Sequence, residues 1–165
     1  MRRLAVIAVL LAVFASTANA EDFLDDRSSA TAVIRSYYNA INSGQYARAF
    51  SYRIRFPSDE KSLDELQAEY EAFAKGYEDT ESVTLLTGEE FFDGAAGTST
   101  YAVPVAIDAV DTSGRHQQFA GCYTLTQVSP SAQDGVPFQP IYISDAQMKP
   151  AKGKLADIIP PSCEF

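Results

Sequence analysis

The hydrophobic period of this chain changes once, and the change divides it into two stretches that must fold differently. Up to Gly76 apolar residues recur three and four apart, and from Thr80 onward they alternate. Val33, Ile34, Tyr37, Tyr38 and Ile41 predict one face of a helix, with Ser28 or Ser29 capping its start and Gly44 stopping it. A short second helix carries Tyr46, Ala49 and Phe50 inward, and Phe56-Pro57 breaks the pattern. Ser62-Leu63-Asp64-Glu65 has the form of a capping box, and Leu66, Tyr70 and Phe73 extend a third helix's buried stripe as far as Gly76.

The later stretch reads as strands. Residues 82–87 predict the first, and Tyr101, Val103, Val105 and Ile107 mark the inward face of a half-buried second. Pro104 has no N–H to give a ladder, so that strand lies at an edge or is bulged there. Asp111-Thr112-Ser113-Gly114 predicts a hairpin turn. Residues 115–128 predict a long return strand with Phe119, Tyr123 and Leu125 on one face, and Ile141 and Ile143 mark a last strand. Helices first and hairpin-linked strands afterwards predict an α+β domain, with N-terminal helices packed on one curved antiparallel sheet.

The beginning of the chain predicts where this domain folds. Met1-Arg2-Arg3, an apolar run from Leu4 to Phe14, and Ala18-Asn19-Ala20 have the layout of a secretory leader, residues 1–20, cleaved between Ala20 and Glu21. The run is shorter than the roughly 20 apolar residues of a membrane helix, so no membrane insertion is expected. Residues 21–165 are then one periplasmic or secreted domain. Loss of Arg2 and Arg3 leaves 11 basic residues against 22 acidic ones, a formal charge of −11. Such a surface repels phosphate backbones, which excludes nucleic acid as a partner.

Cys122 and Cys163 are an even pair in a chain expected in an oxidising compartment, which favours a disulfide. Two free thiols for metal or catalysis are the alternative, but their spacing is not that of a metal knuckle. Cys122 is out of phase with Phe119 and Tyr123, so it projects from the outer face of the sheet. A bond to Cys163 draws the C-terminal tail, residues 149–165, across that face.

Tyr37-Tyr38-Asn39-Ala40-Ile41-Asn42-Ser43-Gly44-Gln45-Tyr46-Ala47-Arg48-Ala49-Phe50 resembles the opening of the NTF2-like superfamily, the cone-shaped α+β fold also called cystatin-like or SnoaL-like. The blocks Phe73–Thr80, Gly94–Gly97, Tyr101–Val105 and Phe119–Leu125 resemble exported bacterial members. The resemblance implies a sheet wrapped against the helices with a pocket between them. Many members dimerise through the outer sheet face, so a tail lying over it favours a monomer. The superfamily holds isomerases, dehydratases and non-catalytic binding or assembly modules, so the fold does not fix the function.

Enzymes of this superfamily place an Asp–His pair, or Tyr with carboxylic acids, inside the cone. Here His116, the only histidine, falls at the rim beside the hairpin turn, and Asp108 has outward parity. That leaves hydroxyls and no buried carboxylate, and no catalytic residue is assigned. The expected pocket lining is Tyr37 and Tyr38 of the first helix, Tyr52 and Arg53 after the second, Tyr70 of the third, and Tyr101, Phe119 and Tyr123 of the sheet. One guanidinium of Arg53 or Arg55 can hold a carboxylate. The paired acids Asp25-Asp26, Asp59-Glu60 and Glu89-Glu90 lack the spacing of a calcium loop and are expected at the solvated surface. No metal and no cofactor are expected, and Gly94 to Gly97 is expected to turn the chain.

The expected function is that of an exported, non-catalytic binding module for a small hydrophobic or aromatic carboxylate ligand. The alternatives are an isomerase or dehydratase using a Tyr hydroxyl with an Arg, and an envelope interaction domain docking a partner through an apolar patch.

Overall fold

The computed structural model describes residues 22–55 and 61–164. The expected leader, its Ala20–Glu21 junction, the Phe56-Pro57 break and Asp59-Glu60 lie outside them. Three helices come first: α1 Ala30–Asn42, α2 Tyr46–Ser51 and α3 Leu63–Lys75. Five strands follow: β1 Thr80–Thr87, β2 Phe91–Ala95, β3 Thr98–Asp111, β4 His116–Val128 and β5 Tyr142–Ala151. A four-residue helix, α4 Leu155–Ile158, lies in the tail. The architecture is α+β, with a curved, open antiparallel sheet in the order β1-β3-β4-β5 and β2 pairing with β3.

Ser29 caps α1 by accepting a hydrogen bond from the Ala32 N–H at 3.1 Å, and the chain leaves the helix through Gly44 at φ 66°. Val33, Ile34, Tyr37, Tyr38 and Ile41 are buried on one face. They meet Val103, Val105, Ile107, Tyr123, Leu125 and Ile143 from the concave side of the sheet, and these residues form one core. The capping box opens α3, with Ser62 Oγ accepting from Glu65 N–H and Glu65 Oε2 accepting from Ser62 N–H at 2.7 Å. Its apolar stripe falls where the spacing puts it, but Leu66, Tyr70 and Phe73 are half-buried, and α3 has no fully buried residue. The helix therefore lies over the mouth of the fold rather than in its centre.

Strand β2 has no clean alternation in Phe91-Phe92-Asp93-Gly94-Ala95, and the sequence reading did not anticipate it. It pairs with β3 across a two-residue turn, Ala96 at φ 50° and Gly97 at φ 84°. Positive φ at both positions matches the turn that keeps the natural twist of a hairpin. Pro104 sits in β3 with β4 on one side, paired to Cys122. On its other side β1 ends at Thr87 and β2 begins at Phe91. The Pro104 carbonyl accepts from the Gly88 N–H at 2.8 Å, so its missing donor faces the break between the two strands, where no ladder acceptor goes unmet.

Two paired acids expected at the surface have structural partners. Glu90 Oε2 accepts from the Thr31 N–H at 3.1 Å and from its hydroxyl at 3.0 Å, fixing the first turn of α1. Asp25 accepts from the Tyr52 hydroxyl at 2.7 Å. Asp25 stays exposed as expected while serving a buried phenol, and Glu90 is half-buried because the start of α1 needs an acceptor. At the far end of α1, Asn42 donates to the Val83 carbonyl at 3.0 Å and accepts from the Val83 N–H at 2.7 Å.

Cys122 and Cys163 form a disulfide, with their Cα atoms 5.9 Å apart. The bond carries the tail over the convex face, where α4 lies against β3. Beneath it Ala102, Pro104 and Ala106, all of outward parity, are buried.

Strands β4 and β5 approach closely at Gly121. A Cβ there would overlap the Gln147 carbonyl oxygen outright and lie 3.0 Å from the Met148 Cα. No residue with a side chain lets β5 cross β4 this closely.

Candidate functional site

The concave side of the sheet and the helices leave a cavity of about 480 Å³. Tyr38 of α1, Phe73 of α3 and Tyr77 form one wall, and Val83, Ile107, Ala109 and Phe119 of the sheet form the other. Arg53, Gly76 and Gln117 are exposed at its mouth. The cleft exists because α3 approaches the sheet at Phe73 but is not pressed into the core.

Of the residues predicted for the pocket, Tyr38, Arg53 and Phe119 line this cavity. Tyr37 and Tyr123 stand directly behind it. The Tyr38 and Tyr123 hydroxyls are 2.7 Å apart, and those of Tyr37 and Tyr77 are 2.8 Å apart. The Tyr37 ring packs edge-on to Tyr38 at 5.0 Å. The other three lie elsewhere. Tyr70 packs on Phe50 at 5.7 Å. Tyr52 is buried with its hydroxyl on Asp25 and the Arg27 guanidinium over its ring at 4.2 Å. Tyr101 is far along β3, against Phe92 and Gln127. Parity places Tyr101 on the correct face, but position along a strand is not visible in parity. Tyr77 is the lining hydroxyl that sequence reasoning missed. The signal was present in Gly76-Tyr77, an aromatic immediately after the helix stop.

Burial pushes the phenols of Tyr37, Tyr38 and Tyr123 well above the ordinary tyrosine range. Desolvation of the anion is the largest cause for all three, and the neighbouring phenols raise Tyr37 and Tyr123 further. These hydroxyls stay protonated and act as neutral donors.

Asp111 is the carboxylate on the cavity wall among the described residues. It accepts from the Ser113 hydroxyl at 2.5 Å and from the Arg115 N–H at 3.0 Å, and it pairs with the Arg115 guanidinium at 2.8 Å. The Ser113 bond first, and the Arg115 bonds after it, hold its carboxyl well below the usual carboxylate range. A carboxylate so engaged is a poor base. Arg53 lies over the Phe73 ring at 5.7 Å and has no ion-pair partner among the described residues. Among the described residues the cleft thus offers an aromatic wall, neutral hydroxyl donors and the Arg53 cation. That combination suits an apolar body with an acceptor head better than proton abstraction.

Among the described residues no three His, Cys, Asp or Glu side chains group as a metal-holding set, and no helix is long and apolar enough to cross a membrane. Comparison with protein-family models gives no match, and comparison with curated proteins gives none either.

Proposed function

We propose that this chain is an exported, NTF2-like binding module that takes a small aromatic or hydrophobic carboxylate in the cleft between α3 and the sheet. The observation that carries this reading is the meeting of the Arg53 guanidinium, which has no ion pair among the described residues, with an aromatic wall in a cavity of about 480 Å³. A pocket of that size, mostly apolar with a few convergent polar groups, is the usual form of a small-molecule site. Each tyrosine hydroxyl pair uses one proton between its two oxygens. When Tyr123 and Tyr37 donate, the protons of the lining Tyr38 and Tyr77 remain for a ligand acceptor. The disulfide supports export, since such bonds persist in oxidising compartments. The tail over the convex face supports a monomer.

Titration of the purified, oxidised protein with benzoate and with steroid carboxylates tests the reading. Saturable thermal stabilisation is expected. Arg53→Gln should weaken the carboxylates about tenfold, the value of one charge-assisted hydrogen bond, while leaving an uncharged analogue unaffected. No stabilisation by any probe at millimolar concentration, or equal losses for charged and uncharged ligands, would overturn it.

A further inference from the structure

A second cavity, of about 650 Å³, lies at the corner of the sheet where β5 runs out. The ladder between β4 and β5 begins at Gln118 and Ala151, so His116 and Gln117 extend past the end of β5. Asp108 on β3 and His116 on β4 meet there, with His116 Nδ1 3.0 Å from Asp108 Oδ1. The other Asp108 oxygen accepts from Gln118 Nε2 at 3.2 Å. Gln118 in turn accepts from the Gly153 N–H at 3.0 Å. A chain of hydrogen bonds therefore runs from the tail backbone to the imidazole and fixes its orientation. With Nδ1 directed at the carboxylate, Nε2 is left for another partner.

Lys152 lines the same cavity and forms no ion pair among the described residues. Three of the chain's five lysines, Lys149, Lys152 and Lys154, fall within six residues at this end of β5, in a chain of formal charge −9. Ala151 supplies apolar surface on the face of His116, and Phe119 and Pro150 line the same edge from the opposite face. The corner combines an oriented imidazole, an ammonium without an ion pair among the described residues, and apolar surface, which are the parts needed to hold an organic anion.

We propose that this corner is a second binding site for a small organic carboxylate, its head between His116 Nε2 and the Lys152 ammonium and its apolar body against Ala151 at the sheet edge. Asp108 and Lys152 line the cavity with His116, and Arg115, next to it in the chain, is held by Asp111 at 2.8 Å. Gln117 and Phe119 also line the Arg53 cleft, but the two anion-holding sets share no residue, and this site does not depend on the first.

Amide chemical shifts of the labelled, oxidised protein, titrated with benzoate, provide the test. Saturable shifts are expected at Gln118, Ala151, Lys152 and Gly153. Lys152→Gln should weaken binding about tenfold, one charge-assisted contact's worth, and His116→Gln should weaken it as well. Arg53→Gln should leave these shifts in place, so failure here and failure of the cleft are separately visible. No saturable shift at those amides, or an affinity unchanged in both His116→Gln and Lys152→Gln, would overturn the proposal.

Discussion

Replacing Cys122 and Cys163 together by alanine isolates what the covalent closure does for this fold. The bond joins residues 41 apart in sequence. In the chain-entropy model, opening a loop of that length restores freedom to the unfolded state worth about 4 kcal/mol. For a domain of this size that corresponds to a melting temperature lower by about 12 °C. The unfolded chain also expands when the link is gone, so the urea m-value should rise. With no tryptophan in the chain, far-UV circular dichroism and tyrosine fluorescence are the signals to follow during urea and thermal unfolding. The tail has little else to hold it. Past the end of β5 the described tail residues join no ladder and are tied by the Gly153 N–H bond to Gln118 and the apolar contact of α4 with β3. Amide exchange in residues 155–163 should therefore quicken ahead of exchange in β3 and β4. A melting temperature within about 3 °C of the parent, with an unchanged m-value, would refute the loop-closure argument.

Two further outcomes follow from geometry. Gly121→Ala should destabilise by about 3 kcal/mol, the upper range for overpacking, because the new methyl meets backbone that cannot rotate away. Gly44→Ala, where nothing lies within 4 Å but φ is +66°, should lose only the left-handed penalty of about 1 kcal/mol. Equal urea midpoints for the two variants would contradict this. On the alkaline side, Tyr37, Tyr38 and Tyr123 have folded pKa values above their unfolded ones. Their contribution to stability is complete below about pH 10, the ordinary tyrosine value, and is lost as pH rises further, because the unfolded chain ionises first. Phenolate absorbance should rise in two stages, the second coinciding with loss of circular dichroism. Ionisation of all nine tyrosines with native dichroism intact would count against buried phenols.

Much of the architecture is written locally. Ser29, Gly44 and the Ser62–Glu65 box mark helix boundaries through backbone groups that need partners within one turn, so a sequence window suffices to find them. The alternation of Tyr101, Val103, Val105 and Ile107 fixes which face of β3 meets the helices, while Ala102, Pro104 and Ala106 on the other face are buried under the tail. What parity cannot supply is distance along the strand. Tyr101 and Phe119 share a face, yet one packs beside Phe92 and the other lines the cleft. Glu90 and Asp25 serve α1 and Tyr52 through contacts 59 and 27 residues away in sequence, beyond any local rule. Strand β2 exists because β3 continues past the break at Pro104 and offers an edge, not because Phe91–Ala95 has a strand-like pattern of its own.

The Asn42 clamp on Val83 bears on how copies of this protein coexist at high concentration. A strand at the border of a sheet ordinarily offers its outward amides to any extended segment that drifts by. Here the outward N–H and C=O of Val83 are both occupied by one side-chain amide. An incoming chain would have to displace a matched donor and acceptor simultaneously. Self-recruitment along β1 is thus blocked at its middle by a single helix-terminal residue, which gives Asn42 a protective role separate from its share in stability.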